Sequence, residues 1–140
     1  MQTIVNNISI KNANKYPKLR LRAATLYYLR IEFTNLIVYK IGYTTTSLLE
    51  RVHGRPTSYR YVIRKGKRTR VRAAGHNGMG LPLGTRVYVV ASLDHHNASY
   101  VYQVEQALHT KYALQRYKGE WLMENGNTEL YMRDILELDN

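Results

Sequence analysis

Residues 51–93 carry Arg51, Arg55, Arg60, Arg64, Lys65, Lys67, Arg68, Arg70, Arg72 and Arg86, and not one Asp or Glu. Ten like charges with no acid between them repel one another, and none can enter an apolar core without a partner. These charges therefore call for solvent, or for a partner that neutralises them. The acids come afterwards: Asp94, Glu105, Glu120, Glu124, Glu129, Asp134, Glu137 and Asp139 outnumber Lys111, Arg116, Lys118 and Arg133. Of the whole chain's charge, 21 Lys and Arg against 10 Asp and Glu leave +11, and nearly all of that excess sits in the acid-free stretch. A charged segment can be a merely solubilising face. The lack of any interleaved acid favours contact with phosphates of a polyanion instead.

At 140 residues the chain can build one core but not two. Its 44% apolar content excludes disorder throughout. Cysteine is absent, which removes disulfide frameworks, Cys-zinc sites and thiol nucleophiles, and suits a reducing compartment. Residues 1–10 lack a basic segment followed by an apolar one, and the longest apolar run, residues 87–91, is far too short to span a bilayer. A soluble, cytoplasmic protein without membrane contact is expected.

Residues 1–25 are polar and basic without a clean period and read as an N-terminal arm; residues 26–140 read as the folded domain. Residues 26–33 and 36–43 alternate around the turn signal Thr34-Asn35, which predicts a β-hairpin. Ser47 and Glu50 have capping-box spacing, so a short helix should run to about His53 before Gly54 and Pro56. Residues 59–63 and 69–73 flank Arg64-Lys-Gly-Lys-Arg68 as a basic hairpin inside an insertion of about 57–84. The glycine-rich end of that insertion lacks the Lys-Ser/Thr of a nucleotide-binding loop. Residues 85–93 are the most apolar strand and are expected at the sheet's centre. Asn97 can cap a helix over 98–116 with Val101, Val104, Leu108 and Tyr112 on one stripe, and a last helix is expected from Thr128 with Leu130, Tyr131, Ile135 and Leu138 inward. Helices and strands mix without a βαβ rhythm, so the expected class is a small α+β sandwich.

Glu105 falls on the apolar stripe, four residues after Val101 and three before Leu108. A carboxylate there must be paired, protonated or bound to a cation. Arg51, three after Leu48, is also placed inward; it could pair with Glu105, or the two could share a phosphate and its metal. Lys40 interrupts an otherwise apolar strand, and Tyr28 lies on the strand beside it. Any one of 13 tyrosines is more often packing or a stacking surface than a catalyst. His95-His96 lacks metal-pair spacing, and His53 carries little.

Taken in order, Leu26-Tyr-Tyr28, Lys40-Ile-Gly42-Tyr-Thr44, Arg51, Glu105 with His109 four later, and Gly119-Glu-Trp-Leu122 resemble the GIY-YIG nuclease superfamily, in its phage-type branch with KIG as the second motif. Leu26 and Tyr27 replace the Gly and Ile of the first motif, and the basic insertion is long. The resemblance implies a central three-stranded antiparallel sheet flanked by helices and a divalent-metal phosphodiesterase acting on DNA, in a host cell's cytoplasm if phage-encoded. It implies that Tyr28 positions or activates the attacking water, that Lys40 beside it favours the phenolate, and that Tyr43 lies near the nucleophile. Arg51 would contact the scissile phosphate, Glu105 would hold Mg²⁺ or Mn²⁺, and His109 would orient Glu105 or contact a leaving group. Arg55, Arg60, Arg64, Lys65, Lys67, Arg68, Arg70 and Arg72 would bind nucleic acid. No small-molecule cofactor is implied. One site cuts one strand, so double-strand cleavage would need a homodimer or two encounters. The competing reading is a catalytically weak nucleic-acid-binding module that uses the basic hairpin.

Overall fold

The computed structural model describes residue 4 and residues 8–53, 59–72, 81, 84–120, 122 and 129–139. Its helices are α1 (Pro17–Arg20), α2 (Leu48–His53) and α3 (Ala98–Lys111). Its strands are β1 (Ala24–Glu32), β2 (Ile37–Thr44), β3 (Tyr59–Arg64), β4 (Lys67–Arg72), β5 (Arg86–His95) and β6 (Leu130–Tyr131). The main sheet is antiparallel in the order β5-β1-β2-β6, and β3 and β4 form a separate hairpin. The class is α+β as expected, but among the described residues the sheet has four strands rather than three.

The extra strand lies where the sequence predicts a last helix. Leu130 and Tyr131 are both fully buried, one in each of the two cores that flank the sheet, which is the alternation of a strand. Beyond them the Asp134 carboxylate accepts from the backbone N–H of Leu138 (3.3 Å) and Asp139 (2.8 Å). A side chain that captures nearby backbone donors in this way favours turns over a helix.

β5, expected at the centre, is an edge strand with no fully buried residue. The inner positions belong to β1 and β2, and in β1 Leu26, Tyr27, Tyr28 and Leu29 are consecutively buried, as a strand covered on both faces requires. Leu26, Tyr28 and Ile41 face α3, packing on Val101, Val104 and Leu108. Tyr27, Leu29, Ile31 and Val38 face the other way, toward Val52 of α2.

Local signals hold where they were strong. The Ser47 hydroxyl accepts from the Glu50 N–H at 3.0 Å, and Asn97 caps α3 by accepting from Ser99 and Tyr100. α3 ends at Lys111, short of the expected 116, and a 3₁₀ turn follows at Ala113–Gln115. The β3–β4 turn is Lys65-Gly66, with φ of 50° and 75°, the doubly left-handed turn that two-residue hairpins favour. The N-terminal segment is laced to α3: Tyr16 N–H donates to Ser99 Oγ (3.0 Å), Asn97 Nδ2 to Asn14 Oδ1 (2.9 Å) and Gln103 Nε2 to the Asn12 carbonyl (2.8 Å). No helix among the described residues is long and apolar enough to cross a membrane.

The C-terminal segment is fastened to the sheet by two phenols. Tyr28 donates to Asp134 at 2.5 Å and Tyr39 to Asp139 at 2.7 Å, while Arg30 grips both Asp139 oxygens at 2.8 and 2.9 Å. Burial, reinforced by Asp134, pushes the Tyr28 phenol far above its ordinary value; burial and Asp139 push Tyr39 up to about 12. A phenol raised in the folded state stabilises fully below its unfolded value, near 10, and loses that contribution as pH rises beyond it. Denaturant titration between pH 9 and 11.5 is therefore expected to show stability falling, with the Tyr28 contribution steepening above pH 10 toward about 1.4 kcal/mol per pH unit. Tyr28→Phe should make that fall shallower. An unchanged slope would show that Tyr28 titrates alike in both states.

Candidate active site

The β1–β2 turn fixes which side chains share a face. Phe33 N–H donates to the Leu36 carbonyl at 2.8 Å, and counting outward places Leu29 opposite Lys40 and Tyr27 opposite Gly42. Lys40 and Tyr27 thus lie on the same face. A Cβ on Gly42 would stand 2.5 Å from Tyr27 Oη and 2.6 Å from its Cζ, so the glycine leaves the space that the ring crosses. The Lys40 Nζ comes 3.2 Å from Tyr27 Oη and 5.1 Å from that ring's centre, and it pairs with the Glu129 carboxylate. Lys40 is wholly buried. A carboxylate, a phenol and a ring face are the partners that a buried ammonium needs.

Tyr28 is not part of this group. It points to the opposite face, where it meets Asp134, and its burial and that carboxylate disfavour a phenolate. The expected Tyr28–Lys40 neighbourhood is corrected to Tyr27–Lys40, because adjacent residues of a strand face opposite ways.

Glu105 and His109 come from α3, where the same periodicity that buries Val101, Val104 and Leu108 turns them inward; Glu105 is 3% exposed. His109 Nε2 lies 3.2 Å from Glu105 Oε1 and 3.1 Å from the Ile41 carbonyl oxygen, and Nδ1 lies 2.6 Å from Tyr131 Oη. Both neighbours of Nε2 are acceptors, so that nitrogen carries the hydrogen. The β2–β6 ladder stops at Lys40, and the carbonyl of the next residue is the one His109 takes. His109 therefore holds Glu105 in place.

Glu129 immediately precedes β6 at the sheet edge. It, Glu105 and His109 each bring one ligand atom to within 4.8 Å of the others, a group that could hold a metal ion. Two carboxylates suit a hard divalent cation. The imidazole, with its Nε2 hydrogen engaged by Glu105 and Ile41, fits the outer support of a ligand better than a direct bond. Lys40 links this group to Tyr27 on the other face, and Glu129, 28% exposed in its side chain, is its outermost carboxylate.

Tyr43 is half-buried beside this centre. Burial first, and then the charges of Glu105 and Glu129, hold its phenol above the ordinary value, while Arg22 pulls it down. Arg51, half-buried on α2, lines a surface cleft together with Tyr43. Among the described residues Glu105 is paired with His109. In the basic hairpin Lys65, Lys67 and Arg68 are exposed, Arg60 and Arg64 lie on β3, Arg70 and Arg72 lie on β4, and Arg55 falls outside the described residues.

Sequence reasoning missed Tyr27, Glu129 and Tyr131. The signal for Tyr27 was present in the hairpin register. Glu129 offers no local signal, since its partner Lys40 is 89 residues away. No family model, curated protein or solved structure shows a significant match to the chain.

Proposed function

We propose that the chain is a divalent-metal-dependent DNA endonuclease that hydrolyses phosphodiester bonds, on the pattern of the GIY-YIG nucleases it resembles. The observation that carries this reading is the convergence of the Glu105 and Glu129 carboxylates, with the buried Lys40 bonding Glu129 and, on the opposite face, Tyr27. Clustered, buried ionisable groups of both signs are costly to assemble for stability alone and mark functional sites. The +11 charge supplies the attraction for a polyanionic substrate.

Glu105 and Glu129 would hold Mg²⁺ or Mn²⁺, which neutralises charge on a phosphate and acidifies bound water. Lys40 touches both Tyr27 Oη and Glu129, and so sets the phenol and the carboxylate relative to each other. Tyr27 takes over the water-positioning role that the resemblance gave to Tyr28. Tyr43, kept as a phenol by its surroundings, donates a hydrogen bond to a phosphate oxygen, and Arg51 stabilises charge developing on that group. The hairpin cations at Lys65, Lys67 and Arg68 hold the nucleic-acid backbone.

One observation favours the second reading, a nucleic-acid-binding module: Lys40–Glu129 and Glu105–His109 already form internally satisfied pairs. Supercoiled plasmid and single-stranded DNA, each incubated with the protein in Mg²⁺ and in EDTA, separate the two. The nuclease reading expects cleavage in Mg²⁺ and none in EDTA; DNA binding without cleavage in either Mg²⁺ or Mn²⁺ selects the module.

A further inference from the structure

Arg22 sits at the junction of α1 and β1 with its backbone held from both sides. Its N–H donates to the Leu19 carbonyl at 2.9 Å, and its carbonyl accepts from Ala98 N–H, at the start of α3, at 2.8 Å. The side chain is exposed, and it lines a shallow cleft of about 340 Å³ together with Leu19, Tyr43, Thr44, Thr45 and Arg51. Two arginines and two hydroxyl-bearing residues, Tyr43 and Thr45, therefore line one cleft, and no Asp or Glu is among its described lining residues. The Thr44 hydroxyl, by contrast, is engaged with Thr46, at 2.9 Å from its hydroxyl and 3.2 Å from its N–H.

An exposed guanidinium such as that of Arg22, set at a cleft, attracts an anion. Guanidinium forks match the oxygens of a phosphate, and phenol and threonine hydroxyls can donate to those that remain. Tyr43 lines this cleft and lies within electrostatic reach of Glu105 and Glu129 as well as of Arg22. An anion in the cleft would lie beside the proposed cation site, as a bound phosphodiester requires.

We infer that Arg22 is a second phosphate-binding side chain, gripping the nucleic-acid backbone with Arg51 in the cleft between α1, the end of β2 and α2. The inference rests on the reading above for the identity of the ligand as nucleic acid; the anion cleft itself stands on its own geometry. None of the nucleic-acid-binding residues expected from the sequence precedes Arg51, so this assigns a role to the N-terminal segment.

The direct test is an amide-resolved NMR titration of the full chain with inorganic phosphate. Arg133→Ala serves as the control of equal charge, because Arg133 bonds Gln115 beyond the far end of α3, about 20 Å from Ala98 by helix length. Phosphate should shift the amides of Arg22, Thr44, Thr45 and Arg51. Arg22→Ala should lose these shifts, Arg22→Lys should keep part of them, and Arg133→Ala should keep them all. In EDTA, duplex DNA should bind Arg22→Ala about tenfold more weakly than wild type, with the salt slope reduced by about 0.9. Phosphate shifts that lie elsewhere, or that survive in Arg22→Ala, overturn the inference. If phosphate binds as stated but wild type fails to cut plasmid in Mg²⁺, the cleft stands and the nuclease reading falls. If wild type cuts and Arg22→Ala cuts with unchanged KM, the nuclease reading stands and Arg22 loses its role.

Discussion

Glu105→Gln is expected to reduce Mg²⁺-dependent plasmid cleavage by at least about a thousandfold, several kcal/mol of transition-state stabilisation, while leaving DNA affinity equal to wild type or tighter. The substitution keeps the size of the side chain and an acceptor oxygen for the Nε2 hydrogen of His109, which lies 3.2 Å from Glu105 Oε1. The fold should therefore survive. What is lost is the negative charge that a hard cation requires, and losing it near bound phosphates removes a repulsion. Circular dichroism and thermal melting establish that the variant is folded, and fluorescence anisotropy in EDTA reads its DNA affinity. Cleavage at the wild-type rate in a folded Glu105→Gln protein would remove the carboxylate from the mechanism and leave the binding-module reading.

Gly42→Ala is expected to lower Tm by roughly 10 °C and to abolish activity, although it adds a single methyl group. That methyl would fall 2.5 Å from Tyr27 Oη and 2.9 Å from Cε1, and Tyr27, 1% exposed, has no open space to retreat into. The cost is steric and not conformational, since the left-handed glycines among the described residues are Gly66 and Gly84. Displacing the phenol also displaces the group that Lys40 Nζ meets at 3.2 Å, and with it the Lys40–Glu129 pair. A double-mutant cycle isolates the clash: in a Tyr27→Ala background, Gly42→Ala should cost close to nothing. Equal costs in both backgrounds would show that the glycine serves some other purpose.

Much of this scaffold is written in local chemistry. The β1–β2 turn, the Ser47 and Asn97 caps and the apolar stripe that turns Glu105 inward all depend on residues within a few positions of one another, so the sequence displays them directly. The choice between Tyr27 and Tyr28 was legible in principle. Once Phe33 faces Leu36, parity puts Lys40 on the face of Leu29 and Tyr27, and a one-residue slip reverses the assignment. β6 and Glu129 are different in kind. A two-residue strand has no period to detect, and its place is set by β2, far away in the chain. The edge position of β5 was equally hidden. Its apolar residues match those of a central strand, and only the longer buried run of β1 decides between them.

Anomalous diffraction from crystals grown in Mn²⁺ decides whether Glu105 and Glu129 together take a divalent cation. One peak bonded to a carboxylate oxygen of each residue at about 2 Å, the distance of a hard divalent ion, is expected, with His109 still donating to Glu105. Glu129 bound to Lys40 as it is here, with no peak beside Glu105 at saturating Mn²⁺, would contradict shared binding of the cation.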